Sequence, residues 1–374
     1  MKTIAIIGVA HGQKALYLKA KKMGVRTIGF GWQEGAECDK LADRYYPVSI
    51  LDTDRICEIC EAEGVDGVVS NASNLTARVT ATISERMNLI GNPRTVIDNA
   101  LDKWIVRNLT EDIHSLTPVR YELMSAGIRN TTLAYPCIVK PTGGGGKRGV
   151  SYVANEIEFN NAVKYACESG CGEVLIEEFI TGNEISVESI SYNGEHFVLQ
   201  ITDKENTGAP HFVEIAHHQP SQLPVEIQNR IKLIVPEILS KLGFRNGATH
   251  IEFKIDNSGN IYLIEVNPRG GGDEISNQLV YLSTGIDYLR LMISVALGRF
   301  DSTSLIFHPS CAGIYFLCNQ TANLASFITD SDNQPWFHTK EINDKELMIS
   351  TGNRDRNGWM IYQGPDKISP QKSV

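Results

Sequence analysis

The chain reads as two structural regimes in succession, an α/β region and then an α+β region. Three observations carry that reading. Short apolar runs alternate with amphipathic stretches up to about residue 97; beyond about residue 136, strand-like runs are joined by polar turns; and glycine-rich segments sit where those runs end. The 374 residues suffice for two or three domains with their own cores.

Residues 3–9, TIAIIGV, read as a buried strand, 12–24 as an amphipathic helix closed by Gly24, and 25–31 as a second strand. A helix over 53–64 and a strand over 65–71 follow. Strands alternating with helices imply a parallel sheet with right-handed crossovers, a Rossmann-like domain over residues 1–97. Gly8 and Gly12 open its first helix with G-x-x-x-G spacing. The second strand ends in IGFGWQEG with no acid at its tip to grip a ribose. A tight structural turn explains this better than a nicotinamide site.

Helical segments over 92–113 carry Lys103 and Arg107, and the proline of SLTPVRYEL then breaks helix. Strands at 136–141 and 148–154 flank TGGGGK, a helix spans 156–169, and a strand spans 173–180. Alternating residues on either side of Asn193-Gly194 signal a hairpin over 184–203. A helix over 224–243, a hairpin over 249–268, and strand-like GIYFL and GWMIYQG complete the order. The expected divisions are 1–97, 98–185 with the glycine-rich flap, and 186–374.

A net charge of −9 disfavours nucleic acid or an anionic membrane as a partner. No apolar run approaches the ~20 residues of a membrane span. The short apolar start lacks a cleavage pattern and reads as the first strand, not a signal peptide. Eight scattered cysteines fit reduced thiols in a cytoplasm. Cys57-x-x-Cys60 lies in a helical pattern, and Cys167 and Cys171 are poorly spaced to complete a zinc site.

Four stretches carry chemistry. In THIEFKIDNSGNIYLIEVNP, a turn centred between Ser258 and Gly259 pairs residues whose numbers sum to 517. Glu252 then faces Glu265, Phe253 faces Ile264 and Ile255 faces Tyr262. Opposed carboxylates repel unless compensated, and Asn267 shares the face of Glu265. Two carboxylates and an amide oxygen suit Mg2+. VKPTGGGGKRGV places Lys140 at a strand end. Behind it comes a glycine run whose N–H groups can approach an anion, or which forms a loose hairpin loop. It leads into a strand, so it is not a Walker A loop. LIEEFITGNEISVE runs from Glu177-Glu178 through a glycine turn to Glu184. Pro-Arg-Gly-Gly-Gly follows the metal-type hairpin at once.

Taken in order, Asp102-Lys103, IVKP, GGGGKRGV, EEFITGNEISVE and HIEF…LIEVNPRGGG resemble the ATP-grasp superfamily, over nearly the whole chain. NPRGGGDEIS and EIAHHQPSQLP resemble its amino-acid ligases and biotin-carboxylase-like members. The resemblance implies ATP and two Mg2+ ions, with Mn2+ as a substitute. Lys103 and Lys140 are then the phosphate lysines. Gly143, Gly144, Gly145, Gly146, Lys147 and Gly149 form the flap. Glu177, Glu178, Phe179 and Ile180 form the adenine hinge, and Glu184 is the ribose ligand. Glu252, Glu265 and Asn267 are the metal set. Arg269, catalytic with Lys103 and Lys140, steadies the phosphoryl group. Gly270, Gly271, Gly272 and Asp273 enter the acceptor pocket; His217 and His218 either face it, His218 as a substrate contact, or are a satisfied loop feature. Asp273 either meets a substrate ammonium or caps the following helix.

The implied reaction is carboxylate–amine ligation. A carboxylate attacks the γ-phosphorus of ATP to give an acylphosphate and ADP. An amine, which an amino acid would supply, then expels phosphate. The alternatives are a bicarbonate-dependent carboxylase and a nucleotide-binding regulator without catalysis. Homodimers are common in the superfamily, and the expected partners are small-molecule acids and amines.

Overall fold

The computed structural model describes residues 1–125, 130–170, 173–343, 346–352 and 355–370. Cys171 lies outside them. Strands β1 (Thr3–Ile7), β2 (Arg26–Phe30), β3 (Arg44–Tyr46) and β4 (Gly67–Val69) make a parallel sheet in the order β3-β2-β1-β4. Helices α1 (Lys14–Lys22), α2 (Thr53–Ala62) and α3 (Asn74–Arg86) complete this Rossmann-like unit. β1 is buried on both faces: Ile4 and Ile6 pack into one core, Ala5 and Ile7 into another. That is why its sequence is apolar throughout instead of alternating. Cys57 and Cys60 lie in α2, buried in the second of these cores.

The helical stretch expected over 92–113 is two helices, α4 (Arg94–Leu101) and α5 (Lys103–Thr110). Asp102 ends the first and caps the second, its carboxylate accepting from the Ile105 N–H at 3.0 Å. The cap fixes Lys103 at the first position of α5, and the Lys103 N–H donates to the Thr142 carbonyl at 2.8 Å.

The second sheet is antiparallel, ordered β5-β8-β6-β7 from β5 (Tyr121–Ser125), β6 (Cys137–Pro141), β7 (Ser151–Val153) and β8 (Glu173–Glu178). Helix α6 (Glu156–Ser169) packs on it, capped by Asn155, which accepts from the N–H groups of Ile157 and Glu158.

The third sheet has eight strands: β9 (Asn183–Tyr192), β10 (Glu195–Asn206), β11 (Glu214–Gln219), β12 (Gly247–Ile255), β13 (Ile261–Asn267), β14 (Cys311–Leu317), β15 (Phe337–Ile342) and β16 (Gly358–Gly364). Their order is β13-β12-β9-β10-β11-β14-β16-β15, antiparallel throughout. The expected division after residue 185 cuts β9; the turn at Gly182 is what separates the second and third sheets.

One face of this sheet buries Ile185, Val187, Ile201, Ile251 and Phe253 against α7 (Val225–Lys241). The opposite face carries polar side chains over its middle, and α9 (Tyr288–Ala296) covers its end after the short α8 (Val280–Thr284). Among the described residues no single helix is long and apolar enough to cross a membrane. The bent pair Ile275–Thr284 and Tyr288–Ala296 passes by length and composition, and its apolar side chains belong to the core.

The metal-type hairpin places Glu252 opposite Glu265, as the sequence predicts, yet its register is not uniform. Phe253 faces Leu263 and Ile255 faces Ile261, one residue off the expected partners. A bulge between Glu252 and Phe253 leaves Ile264 as the extra residue. The turn carries Gly259 at φ +78°, and the Asp256 carboxylate accepts from the N–H groups of Ser258 and Asn260.

Candidate active site

Strand register assembles the polar face row by row, because directly opposed residues in an antiparallel sheet share a face. Asn267, His250 and Glu188 form one row. Glu265, Glu252 and Ser186 form the next, and Lys254, Glu184, Lys204 and His217 the third. These residues are scattered over more than eighty positions of sequence, yet they adjoin on one surface.

The expected metal ligands Glu252, Glu265 and Asn267 are therefore neighbours. Each carboxylate has a lysine partner: Lys103 lies 3.0 Å from Glu265 and Lys204 lies 2.8 Å from Glu252. Lys204 also reaches Glu184 at 3.1 Å and Glu214 at 3.6 Å. Burial works against its charge, but Glu252, Glu184 and Glu214 outweigh it and hold the ammonium well above the usual lysine range. Among the described residues no group of three His, Cys, Asp or Glu side chains forms a metal cluster. The present set has two carboxylates and an amide, the sparse oxygen donation that Mg2+ tolerates because water and phosphate complete its shell.

His250 is held between two carboxylates. One nitrogen meets Glu188, and the other lies 3.1 Å from Glu252. Burial lowers its pKa, but Glu188 and then Glu252 raise it to about 9. The second oxygen of Glu188 accepts from the Gly271 N–H at 3.0 Å, tying the glycine loop to the metal-type row. A Cβ on Gly271 would lie 2.8 Å from both Glu188 and His250, which explains the bare backbone there.

Lys140 stands at the end of β6, 4% exposed, with Glu177 at 2.6 Å; Arg107 holds the other Glu177 oxygen at 2.9 Å. Burial tends to raise the Glu177 carboxyl, but Arg107 and Lys140 keep it below its usual range. Burial pulls the Lys140 ammonium down to about 8 against the upward pull of Glu177. A phosphate-binding cation must be protonated. Nucleotide affinity is expected to be full below pH 8 and to fall roughly tenfold per unit above it. Titration calorimetry from pH 6.5 to 9.5 checks this, and a flat profile removes Lys140 from the phosphate site.

The hinge expected at Glu177–Ile180 is divided in its roles. Glu177 and Glu178 are still in β8, with Glu177 using its side chain on Lys140 and Arg107, and Glu178 on Arg120 at 2.8 Å. Past the strand, the Ile180 carbonyl accepts from Lys254 at 3.1 Å, while its N–H takes no hydrogen bond among the described residues. Phe179 clusters with Tyr152 and with Phe212, and Lys254 lies over its ring at 5.0 Å.

The flap is exposed at Gly144–Arg148, and Lys147 adopts φ +60°. Its ammonium pairs with Glu214 at 2.8 Å and with the Phe212 carbonyl. Asn74, at the start of α3, sits beneath Gly145 and accepts from Arg269 Nε at 2.9 Å. The Rossmann-like unit thus orients the arginine directly. In the same unit the Gly8 turn is filled by Gln13, whose amide donates to the Asn71 carbonyl, and Asn71 in turn bonds Ser276.

Asp273 does not cap a helix. It has φ +50°, and the residue that precedes the helical turn at Ile275–Leu279 is Glu274. Its carboxylate pairs with Arg356 and lies 3.7 Å from His217. Burial raises this carboxyl, but His217 and Arg356 outweigh it and hold it far below the usual range. The Arg356 guanidinium stacks on Phe316 at 3.7 Å.

His218 requires a correction. It is buried on the opposite face, bonded to Tyr362 at 2.9 Å and 3.1 Å from Glu205. The physical reason is a bulge: Glu205 faces Ala216 and Asn206 faces Glu214, so Ile215 is extra. That slip puts Glu214 and His217, three apart, on the site face. Three buried atoms there lack partners among the described residues: Ser186 Oγ, His217 Nδ1 and Glu214 Oε2. His217→Ala is expected to lower turnover at least tenfold with melting temperature little changed. His218→Ala is expected to lower melting temperature and spare kcat. Equal kcat losses in both variants would contradict this placement.

Lys204, Arg107 and Arg356 carry no local motif, while Glu188 and His250 lie in quoted motifs without a role assigned to them. Only alternation within β9, β10 and β12 hints at Glu188, Lys204 and His250.

Residues 133–278 match the model of the ATP-grasp domain. An ATP-grasp enzyme of Aspergillus fumigatus is 26% identical over 394 residues, covering 91% of this chain and 67% of that protein. The arginine-specific large chain of carbamoyl phosphate synthase of Bacillus subtilis is 25% identical over 62% of this chain, which spans 22% of that protein. The crystal structure of L-amino acid ligase from Bacillus licheniformis superposes with a TM-score of 0.83 at 23% identity, over 98% of this chain and 94% of that one. Residues 133–278 thus match an ATP-grasp domain, and the chain shares the overall fold of that ligase structure.

Proposed function

We propose that the chain is an ADP-forming ligase that activates a carboxylate as an acylphosphate and joins it to an amine. The observation that carries this reading is the polar face itself: opposed carboxylates beside an arginine, with unpartnered buried atoms at Ser186, His217 and Glu214. Buried polar atoms are rarely left unsatisfied, so partners from a ligand are the physical expectation.

The donor set fits Mg2+ at Glu252, Glu265 and Asn267, and the bound ion would supply charge neutralisation at the phosphates. Lys103 and Lys140 bind phosphate oxygens and orient the γ-phosphoryl group. Gly143–Gly149 close over it and exclude water, which would hydrolyse an acylphosphate. The Ile180 N–H and Glu184 orient adenine and ribose. Arg269, held by Asn74, stands where negative charge builds during attack by the carboxylate and again when the amine attacks the acyl carbon.

Asp273 and Arg356 present opposite charges side by side, which matches an amino acid with its ammonium and carboxylate. The structural likeness to an L-amino acid ligase supports the same choice. The test is ADP and phosphate formation with ATP, Mg2+ and paired amino acids, with condensed product detected by mass spectrometry. ADP formation that depends on bicarbonate instead would replace this reading with a carboxylase, and none with any acid would remove it.

A further inference from the structure

A cavity runs along the inner face of α3, outside the polar face described above. Ala77, Thr80, Ala81 and Ser84 form one stripe of the helix, which its capping residue Ser73 extends by one turn. Ala248 of β12 and Met292 and Val295 of α9 form the opposite wall. Pro268 and Arg269 line the end next to Ser73, which the Arg269–Asn74 hydrogen bond fixes as the site end. Gly91, Asn92 and Asn246 line the end next to Ser84. At 1.5 Å per residue the stripe is about 16 Å long.

Two features of this space point to an occupant. The hydroxyls of Thr80 and Ser84 are buried and have no hydrogen-bond partner among the described residues, and Ser84 is 1% exposed. The cavity holds about 80 Å3. A single water needs roughly 10–15 Å3 by that measure, so over a length of about 16 Å the space admits one slim chain. Among the described residues its only charged lining group is Arg269, at the end where the reacting carboxylate is expected. A second charge deeper in the cavity would be buried without a partner.

We propose that this cavity receives the side chain of the carboxylic acid that the enzyme activates. It selects an unbranched, uncharged chain whose distal amide or hydroxyl meets Thr80 and Ser84. The inference rests on the ligase reading, since it needs the acid's carboxylate at Arg269. Asn92 contributes no selectivity, because its amide is already engaged by Arg245, Asn246 and the Asn246 carbonyl.

The experiment compares acids of increasing side-chain length in the full-length wild type, in Ala81→Leu, which narrows the cavity, and in Thr80→Val with Ser84→Ala, which removes its polar atoms. ADP formation is measured for each acid. Binding is measured by calorimetry in the presence of a non-hydrolysable ATP analogue. Ala81→Leu is expected to reduce kcat/KM at least tenfold for acids whose side chains extend past Ala81 and less than twofold for those that end short of it. The hydroxyl variants are expected to lose the preference for an amide- or hydroxyl-tipped chain over its apolar analogue. Equal losses at every length, or an unchanged length preference in a folded Ala81→Leu variant, overturn the proposal while leaving the ligase reading intact. Wild type that neither binds nor consumes any acid overturns both. Melting temperatures establish that each variant folds, and if Ala81→Leu does not, Ala77→Val narrows the same stripe in its place.

Discussion

Glu265→Gln is expected to lower ADP formation by about 100- to 1,000-fold, roughly 3–4 kcal/mol of transition-state stabilisation, while leaving stability unchanged or slightly raised. The two effects have opposite signs for one reason. Glu265 directly opposes Glu252, and like charges facing each other across a hairpin destabilise the sheet. Lys103 and Lys204 offset that repulsion at 3.0 and 2.8 Å. On the ligase reading, glutamine removes the repulsion and one of the two carboxylate donors together. The Mg2+ concentration needed for half-maximal rate should rise about tenfold, which a merely structural glutamate would not cause. Thermal unfolding and a Mg2+ titration of the ATPase rate decide the matter. Undiminished turnover would place the active centre elsewhere.

That pair was legible in the sequence, for a partly fortuitous reason. Counting outward from a turn between Ser258 and Gly259 gives the correct opposition of Glu252 and Glu265 but wrong partners nearer the turn. The turn is centred one half-step earlier, and the bulge at Ile264 restores the register beyond it. Alternation specifies which residues share a face, but nothing local to a strand announces a bulge. The same limit misdirected His218. In β11 an extra residue at Ile215 reverses which histidine of the pair looks into the site, and only the partner strand β10 reveals it.

Elements with strong local signals were read well. The helix at Glu156–Ser169 and the hairpin at Asn193-Gly194 follow from an Asn cap and an Asn-Gly turn. What stayed hidden was pairing across long sequence separations. Lys204 meets Glu252 48 positions away, Arg107 meets Glu177 70 away, and Asp273 meets Arg356 83 away. Charged residues at such distances look like solvated surface until a sheet brings them together. A glutamate read as one end of an adenine hinge can then prove to be the counter-charge of a buried lysine and a buried arginine.

Glu177 is the case where that difference has the largest consequence for stability. It is 4% exposed and neutralises two buried cations, Arg107 and Lys140. Glu177→Gln is nearly isosteric, so no cavity forms, yet two positive charges remain side by side in a dry interior. Breaking a buried ion pair from one side costs about 3–5 kcal/mol. The melting temperature should fall by several degrees, and nucleotide affinity should fall with it, because Lys140 is expected to lose its proton or its position. Adding Arg107→Met relieves the like-charge contact and should recover part of the stability. It should not recover turnover, since Lys140 then lacks the carboxylate that fixes its side chain. Thermal unfolding together with ATP titration of the single and double variants separates the two effects. A Glu177→Gln variant as stable and as active as the parent would mean that neither cation depends on this carboxylate. Lys140 would then owe its position to β6 alone.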